Sequence, residues 1–384
     1  MDRNFALALG LSFLVLMLWT MFTESTRPPE PAPPIPLGES GAVDDLEEKE
    51  MVPEPVFPEL GGSEPAPVVV DAPIAELPEE QIIEVQRPLY NAAFTTHGGG
   101  LVNWRLKDYD VVQEFGAGAV DMVTFEPEQK PALATPFDEL GFGDLSRSSY
   151  SVEQPDSKTL VFNREQGGVR IRKTYLFEEE RYLFRLRLEL ENGSDREIRA
   201  TFRTRWPAAL REENGFKDYS LVARADGSLK EAPVGSRPSM LGLFGGGQFE
   251  KAQEFPSEVD WAGAQSRYFL AALISDFPRE AGARFTPLEP GVEAMTELAF
   301  QAVNIPPSQR AERELQVYLG PKIQSRLEEV GAHLDEAIRK GWFPPLTRFF
   351  IWLLVATYSV VPNYGVAIII VTVMVRLLMA PVMA

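Results

Sequence analysis

The sequence contains no cysteine and only two histidines in 384 residues. Without cysteine the chain forms no disulfide bond and no thiolate metal site, which is compatible with an oxidising compartment. His97 precedes Gly98–Gly100, an HGGG motif found in lipase oxyanion holes, but the matching GxSxG nucleophile motif is missing. Walker, GxGxxG, HExxH and EF-hand patterns are missing too. We therefore expect no catalytic residue, no cofactor and no metal, and we do not predict an enzyme.

Basic residues are scarce as well, with 37 Lys and Arg against 56 Asp and Glu, a net charge of −19. This balance argues against nucleic acid as a partner, because phosphate recognition needs a basic surface. Much of the acidity lies in residues 24–87, which are rich in proline and have Phe57 as their only aromatic residue. Such a stretch buries too little apolar surface to fold. It is predicted to be a disordered linker.

An uncharged run of 18 residues, Phe5–Phe22, stands near the N-terminus. As a helix it measures about 27 Å, just enough to span a bilayer. It is longer than a typical signal-peptide core and lacks an Ala-x-Ala cleavage pattern. We interpret residues 1–23 as an uncleaved transmembrane anchor, and Arg3 favours a cytoplasmic N-terminus.

Period-2 alternation appears from about residue 88 onward. Side chains at Tyr182–Leu190 alternate between apolar and charged, and a second alternating run follows at Ile198–Trp206. Asn192-Gly193 between them is a turn signal, so the two runs are predicted to form an antiparallel pair. Further strands are predicted near residues 101–109, 120–125, 150–153, 159–163, 169–177, 268–274, 296–301 and 314–319. The pattern predicts a mainly β fold, a large sandwich at residues 88–320.

Residues 321–341 show an apolar stripe, with Ile323, Leu327, Val330, Leu334 and Ile338 spaced three or four apart. This spacing predicts one amphipathic helix packed on the sandwich.

Two apolar segments follow. Leu346–Val361, within residues 342–362, is about 24 Å long as a helix and is short for spanning. It is predicted either to lie in the membrane interface or to cross as half of a hairpin; its length favours the interface. Gly365–Ala384, within residues 363–384, is long enough to cross and is predicted to be a transmembrane helix.

Arg376 is the only charge in Gly365–Ala384. A charge inside such a run costs about 2.5–3.5 kcal/mol on insertion scales, so it needs protein, water or an opposite charge around it. Thr372 is four residues away and shares its helix face. Two interpretations remain open from the residues: a polar site inside the membrane, or an arginine that reaches the headgroups from near the helix end.

Three stretches of the sequence resemble the YidC family of bacterial membrane protein insertases. They are MDRNFALALGLSFLVLMLW at the start, VYLGPK at Val317–Lys322 and NYGVAIIIVTVMVRLLMAPV at Asn363–Val382. The order of anchor, acidic linker, β domain, amphipathic helix and arginine-bearing helix is similar to the Gram-negative form over essentially the whole chain. The resemblance implies a periplasmic β-supersandwich and a five-helix core that encloses a hydrophilic groove. This chain covers the first of those five helices.

By the same resemblance, Arg376 corresponds to the groove arginine and Thr372 to a polar groove neighbour. The implied location is the bacterial inner membrane, multi-pass, with the large domain in the periplasm. The implied partners are nascent membrane proteins, the Sec translocon with its accessory subunits, lipid, and the ribosome through parts outside this sequence. No covalent chemistry is implied.

Two other functions fit the pattern less well. One is a membrane-anchored periplasmic carbohydrate-binding sandwich, with Trp206 or Trp261 stacking on a sugar. The other is a scaffold whose β domain docks on translocon partners.

Overall fold

The computed structural model describes residues 79–110, 118–125, 131–210, 219–235, 249–338 and 344–383. All of them belong to the unit Val52–Ala384. The predicted anchor, residues 1–23, and most of the predicted linker, residues 24–87, lie outside the described residues. The described part of the chain is a β domain followed by two long helices.

Nineteen strands form in this described part, some with one buried face and some buried on both faces. In the strand Val169–Phe177 every second side chain is buried, as a strand with one buried face requires. The strands are β1 Ile82–Gln86, β2 Tyr90–Thr95, β3 Gly100–Asp110, β4 Ala119–Asp121, β5 Ser151–Asp156, β6 Thr159–Gln166, β7 Val169–Phe177, β8 Leu183–Asn192, β9 Ile198–Ala200, β10 Arg203–Ala209, β11 Tyr219–Ala225, β12 Ser228–Pro233, β13 Gln253–Phe255, β14 Val259–Ser266, β15 Phe269–Ser275, β16 Ala281–Glu289, β17 Glu293–Phe300, β18 Val303–Ile305 and β19 Arg310–Pro321. The predicted mainly β fold is confirmed.

A nine-stranded antiparallel sheet forms one layer of the domain, in the order β12-β11-β14-β15-β19-β8-β7-β6-β5. Its central strand, β19, pairs with β15 on one side and with β8 on the other. Phe269 of β15 is the register partner of Pro321, so the β14–β15 turn lies at the sheet end where β19 finishes.

Two four-stranded sheets form the second layer, in the orders β1-β2-β3-β4 and β10-β17-β16-β13. Single bridges from Leu101 to Ala132 and from Ala134 to Arg205 connect them through the segment between. The layers meet in one apolar core. The Trp104 indole stacks on Tyr90 and donates to the Leu319 carbonyl of β19 at 3.0 Å. The architecture is a two-layer sandwich.

The predicted pairing of the 182–190 and 198–206 runs is wrong. Strand β8 pairs with β7 and β19, whereas β9 pairs with β18 and β10 pairs with β17. The buried Asn192 redirects the chain, because its side-chain amide donates to the carbonyls of Arg196 and Ile305, both at 2.8 Å. Its side-chain oxygen accepts from the Ser194 amide, so Asn192-Gly193 leads away from β8 and does not close a hairpin.

Strand β1 lies inside the predicted linker, so the domain begins before residue 88. Its five residues sit between Glu79-Glu80 and Pro88, and the acidic composition of the surrounding stretch concealed them. Pairing with β2 supplies the hydrogen bonds that so short a strand needs.

The single amphipathic helix predicted over 321–341 is also wrong. A seven-residue helix, α1 Gln324–Val330, is followed by a 3-10 turn at Leu334–Ala337. Between them Gly331, Ala332 and His333 all have positive φ, which no right-handed helix contains. Leu327 and Leu334 of the predicted apolar stripe are nonetheless buried in the core.

Two helices complete the described chain, α2 Pro344–Val360 and α3 Tyr364–Met383. Among the described residues, no helix reaches both the length and the apolarity of a membrane span. The interfacial assignment of residues 342–362 and the transmembrane assignment of 363–384 stay predictions.

Candidate functional site

Thr372 and Arg376, the predicted polar pair, both lie on α3 and both are exposed. Four residues separate them, so their side chains stand about 40° apart around the axis and about 6 Å apart along it. The Thr372 hydroxyl donates to the Ile368 carbonyl at 2.7 Å, which leaves its lone pairs facing outward. Arg376 forms no ion pair with a described residue. One face of α3 therefore presents a hydroxyl oxygen beside a guanidinium.

Apart from Thr372 and Arg376, the exposed side chains of α3 within residues 364–376 are apolar or aromatic. Large side chains that are more than a third exposed there are Tyr364, Val366, Ile368, Ile369, Val373 and Met374. They point in several directions around the axis, because consecutive residues turn by about 100°. A helix packed on a soluble core would instead show one apolar stripe and one polar face.

The corner between α2 and α3 is closed by local contacts. The Asn363 side-chain oxygen accepts from the amides of Gly365 at 2.9 Å and Val366 at 3.3 Å, which caps the start of α3. The rings of Tyr358 and Tyr364 stack across the corner with centroids 4.1 Å apart. These contacts fix the first turn of α3, two turns before Thr372.

The HGGG stretch has a structural role in the β domain. The Lys173 ammonium donates to the Gly98 carbonyl at 3.0 Å, and the Tyr175 hydroxyl donates to the Gly99 carbonyl at 2.7 Å. The loop thus presents carbonyl acceptors to strand β7, where an oxyanion hole would present free amides.

Lys173 is fully buried and also donates to the Leu133 carbonyl at 2.9 Å. It therefore joins β7, the β2–β3 loop and the segment that connects the two smaller sheets. Burial away from water lowers the pKa of Lys173 to about 7. The sequence carried a signal for this residue that the search for motifs missed: Lys173 falls on the apolar side of an alternating strand, beside Ile171 and Tyr175.

The two tryptophans proposed as sugar-stacking residues are wrong for that role. Trp206 is 1% exposed and Trp261 is fully buried, so neither ring face is open to a ligand. Both lie on strands, β10 and β14, whose residues are almost all buried, so the two rings are part of the core.

Other candidate features give no site. No group of three His, Cys, Asp or Glu side chains is placed to hold a metal ion within the described ranges. The exposed pair on α3 remains the predicted site.

Fold and site define a class: a large antiparallel β-sandwich that continues into apolar helices, one of which exposes a threonine and an arginine. Comparison with known proteins gives the family. The family model described as YidC periplasmic domain matches residues 82–353. The chain belongs to the YidC family of membrane protein insertases.

Curated relatives named membrane protein insertase YidC agree along nearly the whole chain. The relative from Oleidesulfovibrio alaskensis is 30% identical over 98% of this chain and 67% of its own length. That from Syntrophus aciditrophicus is 27% identical over 99% of this chain and 70% of its own length. A third, from a Geobacter species, is 25% identical, and this chain covers 55% of its length. Since these relatives are insertases, membership of the same family also confirms the expectation that the chain is not an enzyme.

Comparison with solved structures gives distant likenesses. A galactose mutarotase-like protein from Lactobacillus casei is 13% identical, with a TM-score of 0.41 over 62% of this chain and 100% of its own. A putative aldose 1-epimerase from Escherichia coli is 9% identical, with a TM-score of 0.40 over 63% of this chain and 99% of its own. Likenesses this distant have no bearing on what the chain does.

Proposed function

We propose that this chain helps to insert newly made membrane proteins by contributing the first helix of a polar groove inside the bilayer. In this proposal α3 is that helix, and Thr372 and Arg376 face the groove. The observation that supports it is the exposed hydroxyl and guanidinium on one face of an otherwise apolar helix, in a chain of the YidC family.

The proposed mechanism is electrostatic and needs no covalent step. A guanidinium in a low-dielectric setting attracts acidic and polar segments of a nascent chain much more strongly than it would in water. Thr372 offers an oxygen for water or a peptide amide beside it. While the polar segment is held there, the adjoining hydrophobic segment moves into lipid, and the groove shortens the path of the polar part across the membrane.

The proposed topology follows from the element order. Residues 1–23 anchor the chain with its N-terminus in the cytoplasm, the β domain lies in the periplasm, and α3 crosses the inner membrane. Helix α2 lies in the interface, where Trp352 and Phe349, both exposed, suit the headgroup region. The Sec translocon and its accessory subunits, and the ribosome through the rest of the core, are the proposed partners.

Photo-crosslinking tests the groove assignment. A photoreactive residue is placed at 372, 376 or 374 in a version that carries the remaining core helices, and a membrane-protein nascent chain is stalled during insertion. Met374 is exposed like the other two but is about 200° away around the axis, so it is the matched control. We expect adducts at 372 and 376 and not at 374. Adducts at 374 alone, or at none of the three, would remove the groove from this face.

Charge variants in the same version test the electrostatic step. Arg376→Lys keeps the positive charge and should retain more insertion activity than Arg376→Glu, which repels acidic segments. The yield of inserted substrate is the measurement. Equal yields for the two variants would contradict attraction as the role of Arg376.

A further inference from the structure

A small surface stands where the chain leaves the central strand of the sandwich. We call it the exit corner and define it as Arg267-Tyr268, the β14–β15 turn, together with Lys322-Ile323, which follow β19. The Lys322 amide donates to the Tyr268 carbonyl at 2.7 Å, so the two pairs are neighbours. Phe269, next in sequence, packs edge-on against Tyr109 with ring centroids 5.5 Å apart, which fixes the turn from beneath.

The exit corner combines an open aromatic ring with positive charge. Tyr268 is 65% exposed, the largest fraction among the large hydrophobic side chains of the described β domain. The Arg267 guanidinium lies 5.6 Å from its ring centroid, and Ile323, the residue after Lys322, is exposed. Arg267 has no carboxylate partner among the described residues. Tyrosine and arginine with an aliphatic residue are the side chains that favour the headgroup region of a bilayer.

Covalent connection keeps the exit corner near the helices. The Lys322 ammonium donates to the Ala337 carbonyl at 3.1 Å, so the exit corner and the 3-10 turn Leu334–Ala337 are held together by one side chain. Only five residues, 339–343, lie between Ile338 and the start of α2 at Pro344, which makes six Cα–Cα steps. A chain of that length spans at most about 22 Å. If α2 lies in the membrane interface, this end of the sandwich must face the same membrane surface.

We propose that the exit corner rests on the lipid headgroups beside α2, with Tyr268 at headgroup depth and Arg267 bound to lipid phosphate. The proposal rests on the membrane location assigned to α2 and α3 above. A protein partner is the weaker choice, because four residues fall far short of the roughly 800 Å² per partner that a specific interface needs. A lipid surface sets no such minimum.

The absence of cysteine makes the test direct, since any introduced cysteine is the sole labelling site. Nitroxide labels are placed at Tyr268→Cys, Phe277→Cys and Val373→Cys in the full chain, reconstituted into phosphatidylcholine vesicles with phosphatidylglycerol. Phe277 is the matched control: it is 52% exposed and follows β15, whereas Tyr268 precedes it. Seven strand residues place the two about 20 Å or more apart. The measurement is the depth parameter from collisions with oxygen and with a nickel chelate.

We expect the depth parameter at 268 to shift from the aqueous value at 277 toward the value at 373. Equal parameters at 268 and 277, with 373 in lipid, would overturn the exit-corner proposal alone. An aqueous value at 373 would overturn the membrane assignment of α3 and with it the proposed function. A shift at 268 that needs a co-purifying protein would assign the surface to a protein partner and also overturn the proposal.

Charge reversal separates phosphate binding from simple proximity. Arg267→Glu should return the label at 268 toward the aqueous value. Arg279→Glu is the control, because Arg279 is an exposed arginine beside Phe277 at the other end of β15. Equal effects of the two reversals would overturn the role of Arg267.

Discussion

The Lys173 side chain lies in the interior of the sandwich, where burial disfavours its charged form. Its ammonium satisfies two carbonyl oxygens, those of Gly98 and Leu133, in the interior of the sandwich. An unpaired buried carbonyl would cost about 1–3 kcal/mol, so the amine supports both loops even when it is neutral. The residue therefore stabilises the position of the loops while its own charged form opposes folding.

Replacement of Lys173 by methionine should change how stability depends on pH. With a pKa of about 7 when folded and about 10.5 when unfolded, Lys173 binds more protons in the unfolded chain between those values. The free energy of unfolding should therefore rise from pH 7 to pH 10 in the wild type, and Lys173→Met should remove that part of the rise. Denaturant unfolding of the detergent-solubilised chain, followed by tryptophan fluorescence, is the measurement.

Lys158→Met is the control for this experiment. Lys158 is exposed on the β5–β6 turn and pairs with Glu179 at 2.9 Å. It should leave the pH dependence unchanged within about 1 kcal/mol, as expected for a surface pair. A Lys173→Met chain with the full wild-type slope would show that Lys173 is not the titrating group.

Residue-level features were predictable from the sequence only where the signal was local. Thr372 and Arg376 stand out because one helix contains both, and their spacing alone gives their shared face. The position of Lys173 on an apolar strand face was readable too. Its partners were not, because they lie 75 and 40 residues away and no local pattern links them.

At the scale of elements, alternation predicted strands but not their partners. The strand at residues 169–177 was predicted with its observed bounds, because the polarity of each residue indicates whether its side chain lies on the buried or the exposed face. Pairing of β8 depends instead on β7 and β19, and β19 is more than a hundred residues further on. The prediction of one helix over 321–341 was wrong because the apolar spacing continues across Gly331, whereas the helical backbone conformation ends there.

Gly331 should be intolerant of a side chain for backbone reasons alone. Its φ of 83° and ψ of −144° are open to glycine and strained for other residues, and a Cβ there would meet no atom within 4 Å. Gly331→Ala should therefore lower the free energy of unfolding by about 1–3 kcal/mol. Chemical unfolding of the chain is the measurement.

Ser325→Ala, on the exposed side of α1, is the matched substitution and should change stability by less than about 0.5 kcal/mol. If both alanine variants matched the wild type, the break between α1 and the 3-10 turn would not be imposed by Gly331.

At the scale of the whole molecule, the second layer is divided into two four-stranded sheets, whereas the nine-stranded sheet is continuous. The large sheet therefore joins the two halves of the β domain into one unit. Phe94 packs under the β1–β4 sheet and Phe285 under the β10-β17-β16-β13 sheet, yet both belong to one core. Phe94→Ala and Phe285→Ala should each cost about 3–5 kcal/mol and lower the same unfolding transition. Hydrogen exchange should accelerate in the half that does not contain the substitution.

Phe277→Ala is the control, because that ring is exposed and its loss should leave the transition in place. Two separate transitions, each sensitive to one of the two core substitutions, would show that the halves unfold independently. The sequence predicted a sandwich of this size but not its continuity, which depends on the register between strands distant in the chain.

The place of β19 has a consequence for how the domain is made. It is the last of the described strands in sequence, and it is the middle strand of the large sheet, between β15 and β8. During synthesis β5–β8 and β11–β15 can each form a partial sheet, but both then carry an open edge until residue 321 has been added. Open edges are the sites at which partly made β proteins pair wrongly. The ribosome must therefore deliver almost the entire domain before it can close, and the closing strand is followed within about twenty residues by α2.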